Sequence, residues 1–406
     1  MAAFEYVSYA DASGYGIAAA RYVRALVEAG HRVQWTPWPT EAVHAGVLGP
    51  EQAAEGRRML LARSAAAGGN AIEALLAATS APLQARVRLI HLMPHVWPRH
   101  LVSREDVRHV GMTAWETDRL PDAWLPNIAK MDHIFVPSAQ NAAVFGAVPH
   151  GPPVHVVPHI CAEPLTPLPP ARLNRLAAWL RIRPGDTVFY TIGTWEPRKR
   201  MAALIDGFLR AFREDECAIL VVKSGKYAVF DDPAVSCRGR EVARMVEALV
   251  ARAATEIGRR AARVSVIAED EVADSVIDGL HALGHCYASL SRSEGFGLGA
   301  FDAATQGRPV ICVGYGGPAD YLGDDWPGRV PHLMVPAEAM PGVTWFSPDQ
   351  NWPAPDDAAA FALMRQFMQS PAPFIAHSAT TGRRIRRRFS AAPVVRRLTA
   401  PFGDGA

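Results

Sequence analysis

Residues 293–302 are the most informative stretch of this sequence, and they read Ser293-Glu294-Gly295-Phe296-Gly297-Leu298-Gly299-Ala300-Phe301-Asp302. The stretch lies between a predicted strand over residues 286–290 and a predicted helix over residues 300–306. Its closely spaced glycines let a ligand approach the backbone, and the helix that follows offers unpaired amides at its positive end. Such a site suits a diphosphate. The residues that we predict to contact it are Gly295, Phe296, Gly297 and Leu298.

Two acidic residues flank this glycine-rich stretch. Glu294 precedes the helix and Asp302 lies in its first turns. On a continuous helix the two would lie about 80° apart around the axis, close enough to line one pocket. Because a carboxylate accepts hydrogen bonds from neighbouring hydroxyls, a diphosphate site flanked by two acids fits a sugar nucleotide. The structural alternative is a capped helix start with a solvated acid.

A second stretch, residues 193–200, concentrates basic side chains between a predicted strand and a predicted helix. Cations at this position can neutralise the charge that develops on a departing nucleoside diphosphate. Lys199 is the first candidate for this role and Arg198 the second. Lys223, at the end of the next predicted strand, is a further donor-binding candidate. The alternative for residues 193–200 is a basic surface turn.

Short apolar segments alternate with helical patterns along the chain. Strands are predicted over residues 4–9, 32–35, 87–92, 107–112, 133–137 and 154–158, and then over residues 187–192, 218–223, 264–268, 286–290 and 309–313. Alternation of this kind implies parallel sheets covered by helices, with ligands bound beyond the carboxyl ends of the strands. The predicted fold class is α/β, with two Rossmann-like, doubly wound domains that face each other across a cleft.

Proline density marks the boundary between the two halves. Residues 161–172 are rich in proline and lack an apolar face, and they form the predicted linker. The predicted domains span residues 1–160 and 173–380, and residues 381–406 form a basic helical tail. Residues 36–84 are predicted only as helices and loops.

Composition excludes several classes of protein. The chain has 406 residues, 49% of them hydrophobic, and its 42 basic and 40 acidic residues leave a formal net charge of +2. This balance argues against a disordered chain and against a protein that wraps a polyanion. The five cysteines are scattered, which predicts neither a disulfide framework nor a zinc site. Without a leader or a long apolar run, the protein is expected to be cytoplasmic.

Taken together, the two stretches resemble the retaining GT-B glycosyltransferases, in particular their large fourth family, the group 1 glycosyl transferases. Residues 14–16 and 29–33 are similar to the opening glycine turn and first helix of that family. Residues 156–159 are similar to its interdomain junction, and residues 316–321 to its last donor loop. The resemblance covers most of the chain.

The resemblance implies transfer of a sugar from a nucleoside-diphosphate sugar to an acceptor hydroxyl, with retention of anomeric configuration. Glu294 would hold the transferred sugar, and Asp302, where the family usually has glutamate, would hold the ribose. Gly14 and Gly16 would contact the donor. The family also usually has an arginine earlier in the basic stretch, and Arg198 would take its role.

No metal site is expected, because no two aspartates stand two positions apart as in the metal-binding element of the other large glycosyltransferase fold. No cofactor is expected besides the sugar nucleotide as co-substrate. The resemblance further implies that residues 173–380 bind the nucleotide sugar, that residues 1–160 supply the acceptor side, and that residues 381–406 return to the N-terminal domain.

The acceptor side of such enzymes often carries a histidine on a loop after a central strand. The corresponding loop here, residues 111–118, has none, and Glu116 is our candidate for the acceptor-side polar group. The alternative is a helix N-cap formed by Thr117 and Asp118. The sequence leaves open the acceptor, the donor base and sugar, and the oligomeric state.

Two other functions stay open beside glycosyl transfer. One is a non-catalytic subunit that binds a sugar nucleotide in support of an active partner, and the other is a GT-B-like epimerase that acts on the sugar nucleotide itself. The arginine-rich tail also allows weak peripheral contact with anionic membranes, since each basic side chain near such a surface is worth about 1 kcal/mol. The usual alternative for that tail is a solvated helix face.

Overall fold

The computed structural model describes residues 1–38, 71–165, 167–228, 240–258, 262–270, 272–340 and 343–405. The chain divides into two compact units. The first comprises Met1–Trp115, Leu120–Cys161 and Arg388–Ala406, and the second comprises Glu116–Arg119 and Ala162–Arg387. The short segment Glu116–Arg119 thus groups with the C-terminal half, although the residues on both sides of it belong to the first unit.

The first unit contains a six-stranded parallel sheet. Its strands are β1 (Ala3–Ser8), β2 (Arg32–Pro37), β3 (Val87–His91), β4 (Arg108–Met112), β5 (His133–Val136) and β6 (Val154–Val156). They are arranged in the order β2-β1-β3-β4-β5-β6. The helices between them are α1 (Gly14–Glu28), α2 (Ala71–Ala78), α3 (Leu125–Ile128) and α4 (Ala139–Gly146). Residues 39–70, part of the segment predicted only as helices and loops, lie outside the described residues.

The second unit contains another six-stranded parallel sheet. Its strands are β7 (Thr187–Ile192), β8 (Ala218–Ser224), β9 (Arg263–Ala268), β10 (Cys286–Ala288), β11 (Val310–Val313) and β12 (Arg329–Val330). They are arranged in the order β12-β11-β10-β7-β8-β9. The helices are α5 (Pro170–Trp179), α6 (Met201–Ala211), α7 (Val242–Ile257), α8 (Asp274–Leu283), α9 (Leu298–Thr305), α10 (Gly317–Leu322), α11 (Asp357–Gln369) and α12 (Ala372–Arg388).

Two elements were not predicted as such. An antiparallel hairpin, β13 (His332–Pro336) paired with β14 (Asn351–Pro355), is separate from the large sheets. The basic tail is not one segment, because α12 begins well before residue 381 and is followed by α13 (Ala391–Thr399), which belongs to the first unit. No helix in the described part of the chain is both long enough and apolar enough to cross a bilayer.

The predicted fold class, α/β with two Rossmann-like parallel sheets, is confirmed. Helix α7 ends at Ile257, because Gly258 adopts a φ of +65° and terminates it. Helix α5 begins at Pro170, inside the predicted linker, because proline is tolerated in the first turn of a helix. The helix predicted from residue 300 begins two residues earlier, at Leu298.

Helix α6 anchors the basic stretch that precedes it. Its apolar residues recur every three or four positions, so Met201, Leu204 and Phe208 lie on one buried face within the core of the second unit. Gly207 allows a close approach on the other side, because a Cβ atom there would lie 2.1 Å from the ring of Phe361. The glycine therefore sets how closely α11 packs on α6.

We expect Gly207→Ala to destabilise the second unit by about 1–3 kcal/mol, since the added methyl forces the Phe361 ring out of place. Gly146→Ala is the matched control, because nothing lies within 4 Å of a Cβ atom there and alanine is the better helix former by about 1 kcal/mol. Thermal unfolding should show a lower Tm for the first variant and an equal or higher Tm for the second. An increase in both would contradict the packing argument.

Candidate functional site

The candidate site lies where the strand order of the second sheet reverses. From β7 the order runs through β8 and β9 on one side, whereas β10 pairs with β7 on the other. Loops that leave two such strands diverge, and the crevice between them is the usual ligand site of an open parallel sheet. Residues 193–200 follow β7 and residues 289–297 follow β10, so the two stretches singled out in the sequence meet here.

A pocket of about 400 Å³, partly open to solvent, occupies this crevice. It is lined by the basic stretch on one side and by the glycine-rich stretch on the other. The residues of these two stretches that line it include Lys199, Glu294, Gly297, Leu298, Gly299 and Ala300. The pocket therefore combines a cation, a carboxylate and the start of a helix.

The first turn of α9 presents backbone amides to the pocket. Gly297 precedes the helix with a φ of +79°, a conformation that favours glycine. The amide of Phe301 donates to the carbonyl of Gly297 at 2.9 Å and closes the first helical turn. The amides of Leu298, Gly299 and Ala300 consequently have no partner within the helix. They can bind an anion at the positive end of α9.

Two further glycines fix the backbone of Glu294. The amide of Gly317 donates to the carbonyl oxygen of Glu294 at 3.1 Å. Gly316 has a φ of +68°, and a Cβ atom there would lie 2.2 Å from the same oxygen. Only glycine allows this approach. Residues 316–321, identified in the sequence as similar to a donor loop, therefore hold the backbone of the loop that carries Glu294.

Lys199 and Glu294 form a bidentate ion pair in the pocket. The Nζ atom of Lys199 lies 2.5 Å from Oε1 and 2.6 Å from Oε2 of Glu294. Both side chains are about one fifth exposed. Diphosphate oxygens that enter the pocket can therefore compete with Glu294 for Lys199.

Arg198 brings three carboxylates together. Its Nη2 atom lies 2.6 Å from Oε1 of Glu196 and 3.5 Å from Oε1 of Glu116. Its Nη1 atom lies 3.7 Å from Oε2 of Glu294 and donates to the carbonyl of Ser293. The Arg198 side chain is only 9% exposed. With Lys199 included, three carboxylates face two cations, which leaves one net negative charge when all five groups are ionised.

The carboxylates of this cluster differ in their ionisation. Burial raises the pKa of Glu116, with Arg198 opposing the shift and Glu196 adding to it. Burial would also raise the pKa of Glu294, but Lys199 and Arg198 outweigh burial and hold it below its ordinary value. Burial would lower the pKa of Arg198, but the surrounding carboxylates raise it. Glu294 therefore stays ionised at neutral pH, and Glu116 protonates more readily than an exposed glutamate.

The structure brings Glu116 into the same cluster as the donor-side candidates. The alternative interpretation of Thr117 and Asp118 as a helix N-cap is wrong, since the next helical turn begins at Asp122 and is capped by Pro121. Thr117 instead donates from Oγ1 to a nearby carbonyl, that of Arg119, at 2.7 Å.

Four predicted donor-binding residues of the second unit, Gly295 among them, do not line the pocket. Lys223 is half-buried at the end of β8, where burial lowers its pKa. Phe296 packs edge-on against Phe301, with ring centroids 4.7 Å apart. Asp302 is half-buried on α9, and its charge is among those that raise the pKa of Asp278, after burial itself.

The two predicted glycines of the first unit lie in the first turn of α1. The hydroxyl of Ser13 caps this helix and accepts a hydrogen bond from the amide of Gly16 at 3.1 Å. A Cβ atom on Gly16 would lie 2.2 Å from the carbonyl oxygen of Asp11. Gly14 begins the helix. Within the first unit, Gly16 thus has a packing role.

Several residues of the site were missed in the sequence. The pocket is lined by hydroxyl groups from Tyr287, Ser289, Ser291, Ser293 and Tyr315. The three serines stand at every second position after β10, a spacing that places side chains on one face of an extended chain and that could have been recognised. The buried Oγ of Ser293 has no hydrogen-bond partner among the described residues. Glu196 is the nearest ion-pair partner of Arg198, at 2.6 Å. Apart from its place in the basic stretch, nothing in the sequence marked it as a site residue.

No three His, Cys, Asp or Glu side chains within the described ranges are grouped so that they could hold a metal ion.

Comparisons with known proteins bear on the fold. No protein-family model matches the chain, and no curated protein matches it. Among solved structures, the sucrose-phosphate synthase of Thermosynechococcus elongatus is 15% identical, with a TM-score of 0.64 over 99% of this chain and 98% of that chain. The Anabaena protein Alr3699/HepE in complex with UDP-glucose is 12% identical, with a TM-score of 0.62 over 99% of both chains.

A third solved structure, the trehalose-6-phosphate synthase OtsA, is 13% identical, with a TM-score of 0.63 over 98% of both chains. Identities this low show the fold and leave the activity to be argued from the site. The chain has the GT-B fold, as the resemblance of its motifs implied.

We expect Arg198→Leu to lower the free energy of unfolding of the second unit by about 3–5 kcal/mol at pH 7.5, because it leaves buried carboxylates without their cation. The deficit should shrink as the pH falls, because a buried carboxylate that has lost its cation protonates more readily, whereas in the wild type the stabilisation that ionised Glu294 contributes is lost only when the pH falls below the lowered pKa of Glu294. Thermal unfolding at pH 7.5 and at pH 4.5 measures the difference.

Arg210→Leu is the matched control, since the Arg210 side chain is 46% exposed and pairs with Asp206 at the surface. Its effect should stay below about 1 kcal/mol. A deficit in Arg198→Leu that is equally large at both pH values would mean that lost packing, and not unpaired charge, causes the instability.

Proposed function

We propose that this protein is a glycosyltransferase that moves a sugar from a nucleoside-diphosphate sugar to an acceptor hydroxyl with retention of anomeric configuration. The observation that carries the proposal is the ion pair of Lys199 and Glu294. It lies next to the N-terminus of α9, in the pocket where the strand order of the second sheet reverses. A cation beside free helix amides suits a diphosphate, and a carboxylate next to it suits the hydroxyls of the attached sugar.

The comparisons support the class of donor. Solved structures of similar fold include one in complex with UDP-glucose and others named as synthases of sucrose phosphate and trehalose 6-phosphate. By analogy with the first of these, we propose a UDP-sugar as the donor. For the acceptor, we propose only that it is a compound with a free hydroxyl group.

In the proposed complex the amides of Leu298, Gly299 and Ala300 bind the diphosphate. Lys199 turns from Glu294 towards the phosphate oxygens and neutralises the charge that gathers on the leaving group. Glu294, which remains ionised, then accepts hydrogen bonds from the sugar hydroxyls. Binding thus exchanges one ion pair for two interactions with the donor.

The proposed reaction needs no nucleophile from the protein. The bond between the anomeric carbon and the diphosphate oxygen breaks, and the acceptor oxygen forms a new bond to that carbon on the same face. The proton of the acceptor hydroxyl passes to the departing diphosphate. The protein orients the two reactants and stabilises the developing charge, and we assign the binding of the acceptor to Glu116, which lies 3.5 Å from Arg198.

We propose that side chains, and not a divalent cation, supply the positive charge. The five ionisable groups carry one net negative charge when all are ionised, which opposes the binding of a dianion. Protonation of Glu116 would remove that charge, and burial already favours its neutral form. Nucleotide release that is insensitive to EDTA would agree with this assignment.

A second candidate is a non-catalytic subunit that binds a sugar nucleotide. Two observations favour it: Arg198 is already paired with carboxylates, and Asp302 does not line the pocket. Slow release of nucleoside diphosphate by the isolated protein would decide for the enzyme. Retention is tested on the product, whose anomeric configuration can be read by NMR.

We expect Glu294→Gln and Lys199→Met to act in opposite directions on binding. Glu294→Gln removes a negative charge, so UDP should bind at least as tightly as to the wild type, while turnover of UDP-glucose falls by about 100-fold or more. Lys199→Met should weaken UDP binding and also lower turnover. Calorimetry and release of UDP measure the two effects.

Asp215→Asn serves as control, because the Asp215 side chain is 73% exposed and pairs with Arg213 at the surface. It should leave affinity and turnover unchanged. Wild-type turnover in Glu294→Gln, at unchanged affinity, would remove Glu294 from the mechanism.

The affinity for UDP-glucose should fall as the pH rises through the pKa of Glu116, which burial raises above its ordinary value, because Glu116 then becomes charged near the diphosphate. The groups that face Glu116 are Arg198, Glu196, Lys199 and Glu294. A one-unit shift in its pKa on binding corresponds to a change of about tenfold. In Glu116→Gln the affinity should be nearly independent of pH. Equal pH profiles for the two proteins would contradict the assignment.

A further inference from the structure

The hairpin of β13 and β14 holds the segment that carries Glu116. The amide of Asn351 donates to Oδ1 of Asp118 at 2.6 Å, and its side-chain Nδ2 donates to Oδ2 at 2.9 Å. The amide of Asp118 donates in return to the carbonyl of Asn351 at 3.0 Å. Three hydrogen bonds therefore join one residue of the Glu116–Arg119 segment to the first residue of β14.

A buried contact reinforces this attachment. Thr117 is fully buried, and its hydroxyl, which donates its one proton mainly to the carbonyl of Arg119 at 2.7 Å, also contacts Oε1 of Gln350 at 3.2 Å; Gln350 is 1% exposed. The Nε2 atom of Gln350 donates to the carbonyl of Trp345 at 2.8 Å, which fixes the orientation of the amide. The residue directly before Thr117 is Glu116, so these contacts hold the backbone that carries the Glu116 side chain.

The same hairpin contacts the loop of the second carboxylate. Arg292, two residues before Glu294, stacks its guanidinium on the ring of Trp352 at 5.2 Å and pairs with Glu338 at 2.6 Å. Its amide donates to the carbonyl of Arg198 at 3.0 Å. The hairpin thus contacts both the Glu116–Arg119 segment, through Asn351, and the side chain of Arg292, through Trp352.

We propose that Asp118 and Asn351 are positioning residues that hold the Glu116 carboxylate beside Arg198, in the charged cluster that includes Glu294 of the donor pocket. The proposal rests on the proposed function, since it assigns to Glu116 a part in the reaction. Asp118 and Asn351 themselves touch neither the pocket lining nor the charged groups among the described contacts. They act through Glu116.

The test exchanges the two partners. Asn351→Asp alone places two carboxylates opposite each other, which breaks the side-chain hydrogen bond by like-charge repulsion. Adding Asp118→Asn restores a donor opposite an acceptor and returns the net charge to that of the wild type. Arg119→Gln is the control on the same segment. It removes an ion pair with Asp349 in which each of the two side chains is about half exposed.

We expect Asn351→Asp to lower kcat for UDP-glucose turnover by about tenfold or more, since small displacements of a catalytic group have effects of this size. The KM for the donor should change little, the double variant should recover most of the kcat, and Arg119→Gln should resemble the wild type. Combined with Glu116→Gln, Asn351→Asp should cause no further loss.

Two results would overturn the proposal. The first is an Asn351→Asp variant with a lowered Tm and a wild-type kcat, and the second is a double variant that recovers the Tm without the kcat. If the wild type releases no nucleotide from any donor, the proposed function fails instead. The positioning role is then read from the pH dependence of UDP-glucose affinity. Asn351→Asp should flatten that profile as Glu116→Gln does, and a profile like the wild type's would refute the role.

Discussion

The charge on Arg198 determines how the site is built. Its guanidinium is nearly buried, and a buried cation is stable only when carboxylates and carbonyls satisfy it. Glu196 and the carbonyl of Ser293 satisfy it directly, and Glu116 and Glu294 stand within 4 Å. Each of these partners comes from a loop, so a single side chain brings three loops of the second unit to one place.

This arrangement separates the two acids by environment. Glu294 faces both Lys199 and Arg198 and keeps its charge, whereas Glu116 is near Arg198 alone at ion-pair distance and is disfavoured as an anion by burial. Two carboxyl groups in one charged cluster can then perform different tasks, one as a permanent hydrogen-bond acceptor and the other as a group that gains or loses a proton.

The sequence predicted the parts of the site that depend on local patterns. Glycine spacing identified the stretch around Gly297, whose positive φ begins α9, and the strand before Lys199 placed it at the carboxyl end of a sheet. The hairpin could not be predicted in the same way, because β13 exposes Leu333 and lacks the alternation of a half-buried strand. The side-chain direction of Asp302 depends on how α9 packs, which spacing alone does not fix.

The hairpin has a consequence for the cooperativity of the second unit. Two strands alone are marginally stable in water, and these two are not part of the six-stranded sheet. Their order depends on tethers such as Trp352 under Arg292 and Asn351 against Asp118. Local opening of the hairpin would therefore release the neighbouring loops together. Hydrogen exchange in β14 and in the Glu116–Arg119 segment should then report one shared opening event, slower when the pocket is occupied.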